Sequence, residues 1–228
     1  MTTRAFELSI SPIDTSNRRD QITHTLRAAV LAGDMKMGEI YSAPMLAARF
    51  GVSATPVREA MIDLAKEGII EAVRNKGFRV AQPSVKELQQ MMDVRLLLEV
   101  PTIRNLAKTG FTGEQRAAAS SFAEASLESA QHSDLMSHVM ADIRFHLYLL
   151  SISGNDQIVE IVRVLRSRSR PYGLQSSSKR AFLLESAREH IELVKLIGNR
   201  QSTQAADLME AHIRRARHEW SNPANESA

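Results

Sequence analysis

The chain has 228 residues, 43% of them hydrophobic, a formal net charge of +3 and no cysteine. This composition supports one large or two modest packed cores and excludes a disordered chain, while the lack of thiols excludes disulfides and thiolate metal ligands. No stretch approaches the roughly 20 consecutive apolar residues that span a bilayer, and residues 1–15 lack the order of a secretion signal, so the expectation is a cytoplasmic protein with no membrane partner.

Residues 1–15 are polar and expected to be flexible. Residues 16–32 follow as a helix with Ile22, Leu26, Ala29 and Val30 on one side, and residues 33–42 as a loop. Two short apolar-periodic segments, 43–50 and 54–67, are separated by Gly51-Val52-Ser53, a tight turn of the kind that joins crossed helices. Residues 69–73 and 78–81 alternate around Arg74-Asn75-Lys76-Gly77, the pattern of a hairpin that would serve as a wing. The spacing predicts a winged helix-turn-helix over 16–82. Ser53 or Thr55 can cap its second helix, whose first turn tolerates Pro56. The start of that helix enters the major groove in such a fold, which places Thr55 and Arg58 against DNA. Arg74 and Lys76 at the wing tip would reach phosphate or the minor groove, with Gly77 allowing close approach of backbone. The bland alternative is a solvated helix face and an ordinary surface hairpin.

Pro83-Ser84 marks a boundary, and Ser84 can cap the next helix. Helices are expected over 85–108, 112–131, 133–153, 157–170, 177–199 and 202–220, giving an all-α antiparallel bundle over 84–221 and a short flexible tail over 222–228. The fold class is therefore mainly α, with three helices and a hairpin wing joined to a helical bundle.

Asp142 and His146 share one helix face, four residues apart. His146, His190 and His212 each fall on the apolar stripe of a different segment, so three imidazoles and a carboxylate point into one interior. Each buried group needs a partner, and one shared divalent cation satisfies all four. Zinc is the first expectation, with nickel, manganese or iron also suited to nitrogen and oxygen ligands. The competing reading is three separate core histidines bonded to carbonyls. His24, His132, His138 and His218 lack this placement and are read as surface or packing residues. Arg95 lies on a stripe with Leu88, Met91, Leu98 and Thr102, so its charge faces inward and needs an anion; Glu99, one turn on, can supply it.

The run 43–80, with Leu46-Ala47, Gly51-Val52-Ser53, Thr55-Pro56-Val57-Arg58-Glu59-Ala60, Leu64, Glu67-Gly68 and Gly77 to Val80, closely resembles the winged helix of the GntR family of bacterial regulators. Two departures occur: Ala54 stands where many relatives carry Arg, and Pro44-Met45 where they carry a charged pair. Arg49 is a candidate backbone contact in their place, and the operator is expected to differ from the usual one. Residues 84–220 resemble the FCD domain of FadR-like members through Asp142-Ile143-Arg144-Phe145-His146, Glu189-His190 and 209–212. The resemblance implies that Asp142, His146, His190 and His212 ligate one metal. It also implies that Arg95 of Arg95-Leu96-Leu97-Leu98-Glu99 binds a small carboxylate effector, with Glu99 orienting it. It further implies a homodimer on a pseudo-palindromic double-stranded operator, with repression relieved by ligand. A metal-dependent hydrolase and a purely structural metal are the alternatives; against the first, no carboxylate or tyrosine is evidently placed as a general base near the four ligands.

Overall fold

The computed structural model describes residues 16–169 and 177–220. The expectations for residues 1–15, the break at 171–173 and the tail fall outside these residues. Helices α1 (Ser16–Ala32), α2 (Ala43–Phe50) and α3 (Ala54–Lys66) open the chain. Ser42 caps α2 by accepting from the Met45 amide, and Gly51, left-handed at φ 65°, ends it. Helix α1 buries Ile22, Leu26 and Val30 against Val57, Ala60, Met61 and Leu64 of α3. Each large side chain so enclosed contributes about 1.5–3 kcal/mol of transfer free energy. The outer edges of α1 and α3 are tied by ion pairs from Arg19 to Asp63 and from Arg27 to Glu67.

Strands β1 (Ile40–Tyr41), β2 (Ile70–Val73) and β3 (Gly77–Val80) form an antiparallel sheet in the order β1-β3-β2. The expected loop over 33–42 therefore contains a strand, with Ile40 opposite Arg79 and Tyr41 opposite Phe78. Two residues are too few for a period-2 pattern to register, and the pairing partner lies almost forty positions away. Gly77 has φ 124°, and a Cβ there would collide with the Tyr41 carbonyl. The structure thus gives this glycine a duty inside the sheet, beside the close approach to nucleic acid expected from the sequence.

Six helices follow: α4 (Val85–Thr109), α5 (Gly113–Gln131), α6 (Leu135–Ser151), α7 (Asp156–Arg168), α8 (Ser177–Gly198) and α9 (Ser202–Trp220). Reciprocal capping boxes start α4 at Ser84 and Glu87 and α5 at Thr112 and Gln115. Asp134 caps α6, so this helix begins two residues later than its apolar pattern suggested. Pro101 sits inside α4. The carbonyl it leaves without an amide is that of Leu97, whose residue is 74% exposed, so water can satisfy it and the helix continues. The small residues Ala119, Ala123, Ser126 and Ala130 line the buried side of α5, letting α6 and α8 approach closely. Phe145, Leu149, Leu193, Ile197, Met209 and Ile213 make the bundle core, separate from the core of residues 22–80. The two parts touch where Arg168, ending α7, lies over Gly68 in the α3–β2 turn. A Cβ at Gly68 would come within 2.5 Å of Arg168 Cγ. No described helix is long and apolar enough to cross a membrane.

Candidate metal centre and nucleic-acid interface

Helix α6 carries Asp142 and His146 on one face, α8 brings His190 and α9 brings His212. Their ligand atoms lie within 4.8 Å of one another. His146 Nε2 is 3.2 Å from His190 Nε2 and 3.2 Å from His212 Nε2. Asp142 Oδ1 is 3.5 Å from His190 Nε2 and 3.8 Å from His146 Nε2. The sequence therefore assembles correctly into one cluster, and the three histidines are at most 5% exposed.

One nitrogen facing two others cannot be satisfied by hydrogen bonds alone, since it can donate to only one of them. A cation satisfies all three. Ligand nitrogens about 2.0–2.1 Å from a shared cation stand roughly 3.3 Å apart in tetrahedral and roughly 3.0 Å apart in octahedral coordination, and the observed spacing falls between. The residues fit a divalent metal.

The far sides of the rings carry the same message. Glu189 Oε2 accepts from His212 Nδ1 at 2.9 Å, and Glu99 Oε2 lies 3.0 Å from His146 Nδ1, at an angle short of a good hydrogen bond. A carboxylate on Nδ1 fixes the tautomer and turns the Nε2 lone pair inward. These two carboxylates stand beside the ligands, where the sequence placed no spare general base. Each already serves an imidazole and one or two arginines, so neither is free to act as a base. His190 stacks on Phe145 with ring centroids 4.3 Å apart, and its Nδ1 has no partner among the described residues.

Electrostatics suit ligation. Burial, followed by the Arg166 guanidinium, pushes the His146 imidazole down to about 3 despite Glu99 and Asp142. His190 is likewise well below its usual value, chiefly through burial. Burial alone would raise Asp142, but Arg166, His146 and His190 hold it well below the usual carboxylate range. Neutral imidazoles and an ionised carboxylate are the ligating forms.

Arg95 is 1% exposed and donates through Nε to Glu99 Oε1 at 2.7 Å. The inward placement agrees with the sequence, and the structure gives its charge the internal partner Glu99. Sequence reasoning missed Arg166. From the last turn of α7 it donates to Asp142 Oδ2 and to Glu99 Oε2, both at 2.9 Å. It lies four residues after the buried Val162, a spacing that carried the signal. Of the remaining histidines, His24 and His132 are exposed. His138 is buried, with Nδ1 3.0 Å from the Ser126 carbonyl, which makes it a packing residue. The His218 side chain lies outside the described residues.

At the other end of the chain, Thr55 and Arg58 are exposed on the first turns of α3, beside a half-buried Pro56. Arg49 is exposed in the last turn of α2, and Arg74 and Lys76 at the tip of the β2–β3 hairpin. Ser53 occupies the N-cap position of α3, but neither it nor Thr55 makes the expected capping bond. The Ser53 backbone is extended there, and its hydroxyl is left for another acceptor or donor.

A winged helix joined to a helical bundle is the architecture of a DNA-binding transcriptional regulator. The pattern of the bacterial regulatory proteins of the gntR family matches residues 18–80, and that of the FCD domain matches residues 90–215. The chain belongs to the GntR family, in the group that carries an FCD domain, and is a DNA-binding transcriptional regulator rather than an enzyme. It is 29% identical over 181 residues to the Nta operon transcriptional regulator of Aminobacter aminovorans, covering 78% of this chain and 82% of that protein. It is 25% identical over 196 residues to the transcriptional repressor GlaR of Escherichia coli, covering 82% and 89%. The solved structure of E. coli McbR/YncC superposes with a TM-score of 0.69 at 20% identity, covering 86% of this chain and 93% of that one, which shows a shared fold.

Proposed function

We propose that the protein is a repressor, released from its operator by a small carboxylate that binds at a divalent metal centre. Residues 16–82 read DNA and residues 84–221 sense the ligand. The observation that carries this reading is the inward convergence of three imidazole Nε2 atoms and Asp142, two of the imidazoles backed by carboxylates. Asp142, His146, His190 and His212 hold the metal, with zinc favoured and nickel, manganese or iron compatible. The cation supplies a Lewis-acidic anchor for an anion when bound. Arg95 and Glu99 tune the charge beside it, with Arg95 contributing to the attraction of the effector. The repressor sense is supported by the name of the E. coli relative GlaR. Thr55, Pro56, Arg58, Arg49, Arg74 and Lys76 form the DNA face. A homodimer on a pseudo-palindromic operator in the cytoplasm completes the proposal; the exposed Val94 and Leu97 on the outer side of α4 suit a contact between copies.

The test joins metal analysis to DNA binding. The purified protein should hold one divalent cation per chain, and His146→Ala and His190→Ala should hold markedly less. Stoichiometric metal in both variants would sink the centre. Arg58→Ala should weaken binding to a selected operator by about tenfold or more, the worth of one good base contact. Unchanged binding would remove α3 from the major groove.

A further inference from the structure

Among the described residues, six buried or half-buried charges surround the centre in equal numbers of each sign: Arg95, Arg166 and Arg215 against Glu99, Asp142 and Glu189. They are linked by Arg95 to Glu99, Arg166 to both Glu99 and Asp142, and Arg215 to Glu189. Without a metal this set is neutral. A divalent cation held by three neutral imidazoles and Asp142 leaves two positive charges uncompensated in a poorly solvated interior. It also draws the Asp142 charge toward itself and away from Arg166.

Arg166 is then short of an acceptor, and part of it already is. Its Nε has no hydrogen-bond partner among the described residues, although the residue is only 5% exposed. Three residues on, at the C-cap of α7, Ser169 Oγ also has no partner among the described residues, at 1% exposed. Residues three apart share a helix face. An unengaged guanidinium N–H and an unengaged hydroxyl, both buried and on the same face, are matched by the oxygens of an anion. Asp142, which Arg166 touches, has a side chain 24% exposed, so this flank of the centre is reached from solvent.

We infer that Arg166 Nε and Ser169 Oγ receive the second anionic group of a dianionic ligand, a dicarboxylic acid whose first carboxylate meets the metal. The inference rests on the metal centre of the proposed function and narrows its ligand from a carboxylate to a dicarboxylate. Arg166 is the specificity-determining residue. An acid with one carboxylate neutralises only half of the excess charge and leaves both α7 donors unmet.

The experiment is calorimetric titration of the full-length protein, loaded with zinc and checked by elemental analysis, with succinate and with butyrate. The two acids have the same chain length and differ in the second carboxylate. Succinate should bind about tenfold tighter or better, the value of one added charge-assisted contact. Ser169→Ala should cut that ratio to about threefold or less, and Arg166→Lys should erase it, because the ammonium lacks the planar fork. Ser169→Ala should keep its metal and its ligand-free melting temperature, so loss of fold is not the cause. Equal affinity for the two acids in the zinc-loaded parent overturns the inference, as does a preference that Ser169→Ala retains. A protein that takes up no zinc fails at elemental analysis, before any acid is added; the metal centre and this inference then fall together. Zinc bound at one per chain with a flat ratio removes the dicarboxylate subsite alone.

Discussion

His146 and His190 are imidazoles that fold into places where a proton is unwelcome. Burial leads in both, and Arg166 adds repulsion at His146, whose value falls from an ordinary 6.5 to about 3. The sign of the resulting pH effect follows from which state binds the proton. Above about pH 6.5 both folded and unfolded histidines are neutral, and stability is independent of this pair. Below it the unfolded chain takes up protons that the folded chain refuses, so stability falls from about pH 6.5 down toward about pH 3, by up to about 1.4 kcal/mol per pH unit for each histidine. Glu99 and Asp142 are held well below their usual range, so at pH 5 they add no opposing uptake of protons. The metal-free protein should therefore melt at a distinctly lower temperature at pH 5 than at pH 7.5. A melting temperature that does not move between these values would mean that the pair is not buried in the neutral form.

Elements were legible wherever a local rule specified them. Helix α1 runs from Ser16 to Ala32 and α2 from Ala43 to Phe50, as the apolar spacing and the Gly33 and Gly51 breaks predict. The capping box at Ser84 was half visible, as a serine followed by a glutamate three residues later. Ser84→Ala removes the acceptor for the Glu87 amide and should cost about 1 kcal/mol, read as a lowered thermal midpoint. An unchanged midpoint would show that the start of α4 is held by packing alone. What escaped the sequence was set by distant partners. Strand β1 exists because β3 offers it an edge. Glu189 lies off the apolar stripe of α8 and gains its role only when α9 brings His212 to it. Arg166 resembles the basic residues that commonly end a helix, favoured there by the dipole, and its inward turn shows only in the four-residue step from Val162. The four-ligand cluster was legible because its members sit on the apolar stripes of three helices; Glu99 and Glu189 were named only as a partner of Arg95 and as part of a family pattern, and their place behind the imidazoles was not legible.

At the scale of the molecule, the winged-helix part and the helical bundle have separate cores and few points of touch. Gly68 is one of them. Its φ of 73° favours glycine, and its missing Cβ makes room for the Arg168 stem. Gly68→Ala should destabilise the protein by about 1–2 kcal/mol from the backbone conformation alone, with a further loss from displacing Arg168. In an Arg168→Ala background only the backbone part should remain, so the two substitutions should be non-additive in thermal melts. Strict additivity would mean that the contact carries no energy. Arg166 and Arg168 lie two residues apart on the same closing turn of α7, one gripping the centre and the other resting on the turn behind the recognition helix. A helical turn is stiff over that distance. In the proposed function, this turn is the direct covalent route from the centre to the α3–β2 corner, and Gly68 is the point at which the two meet.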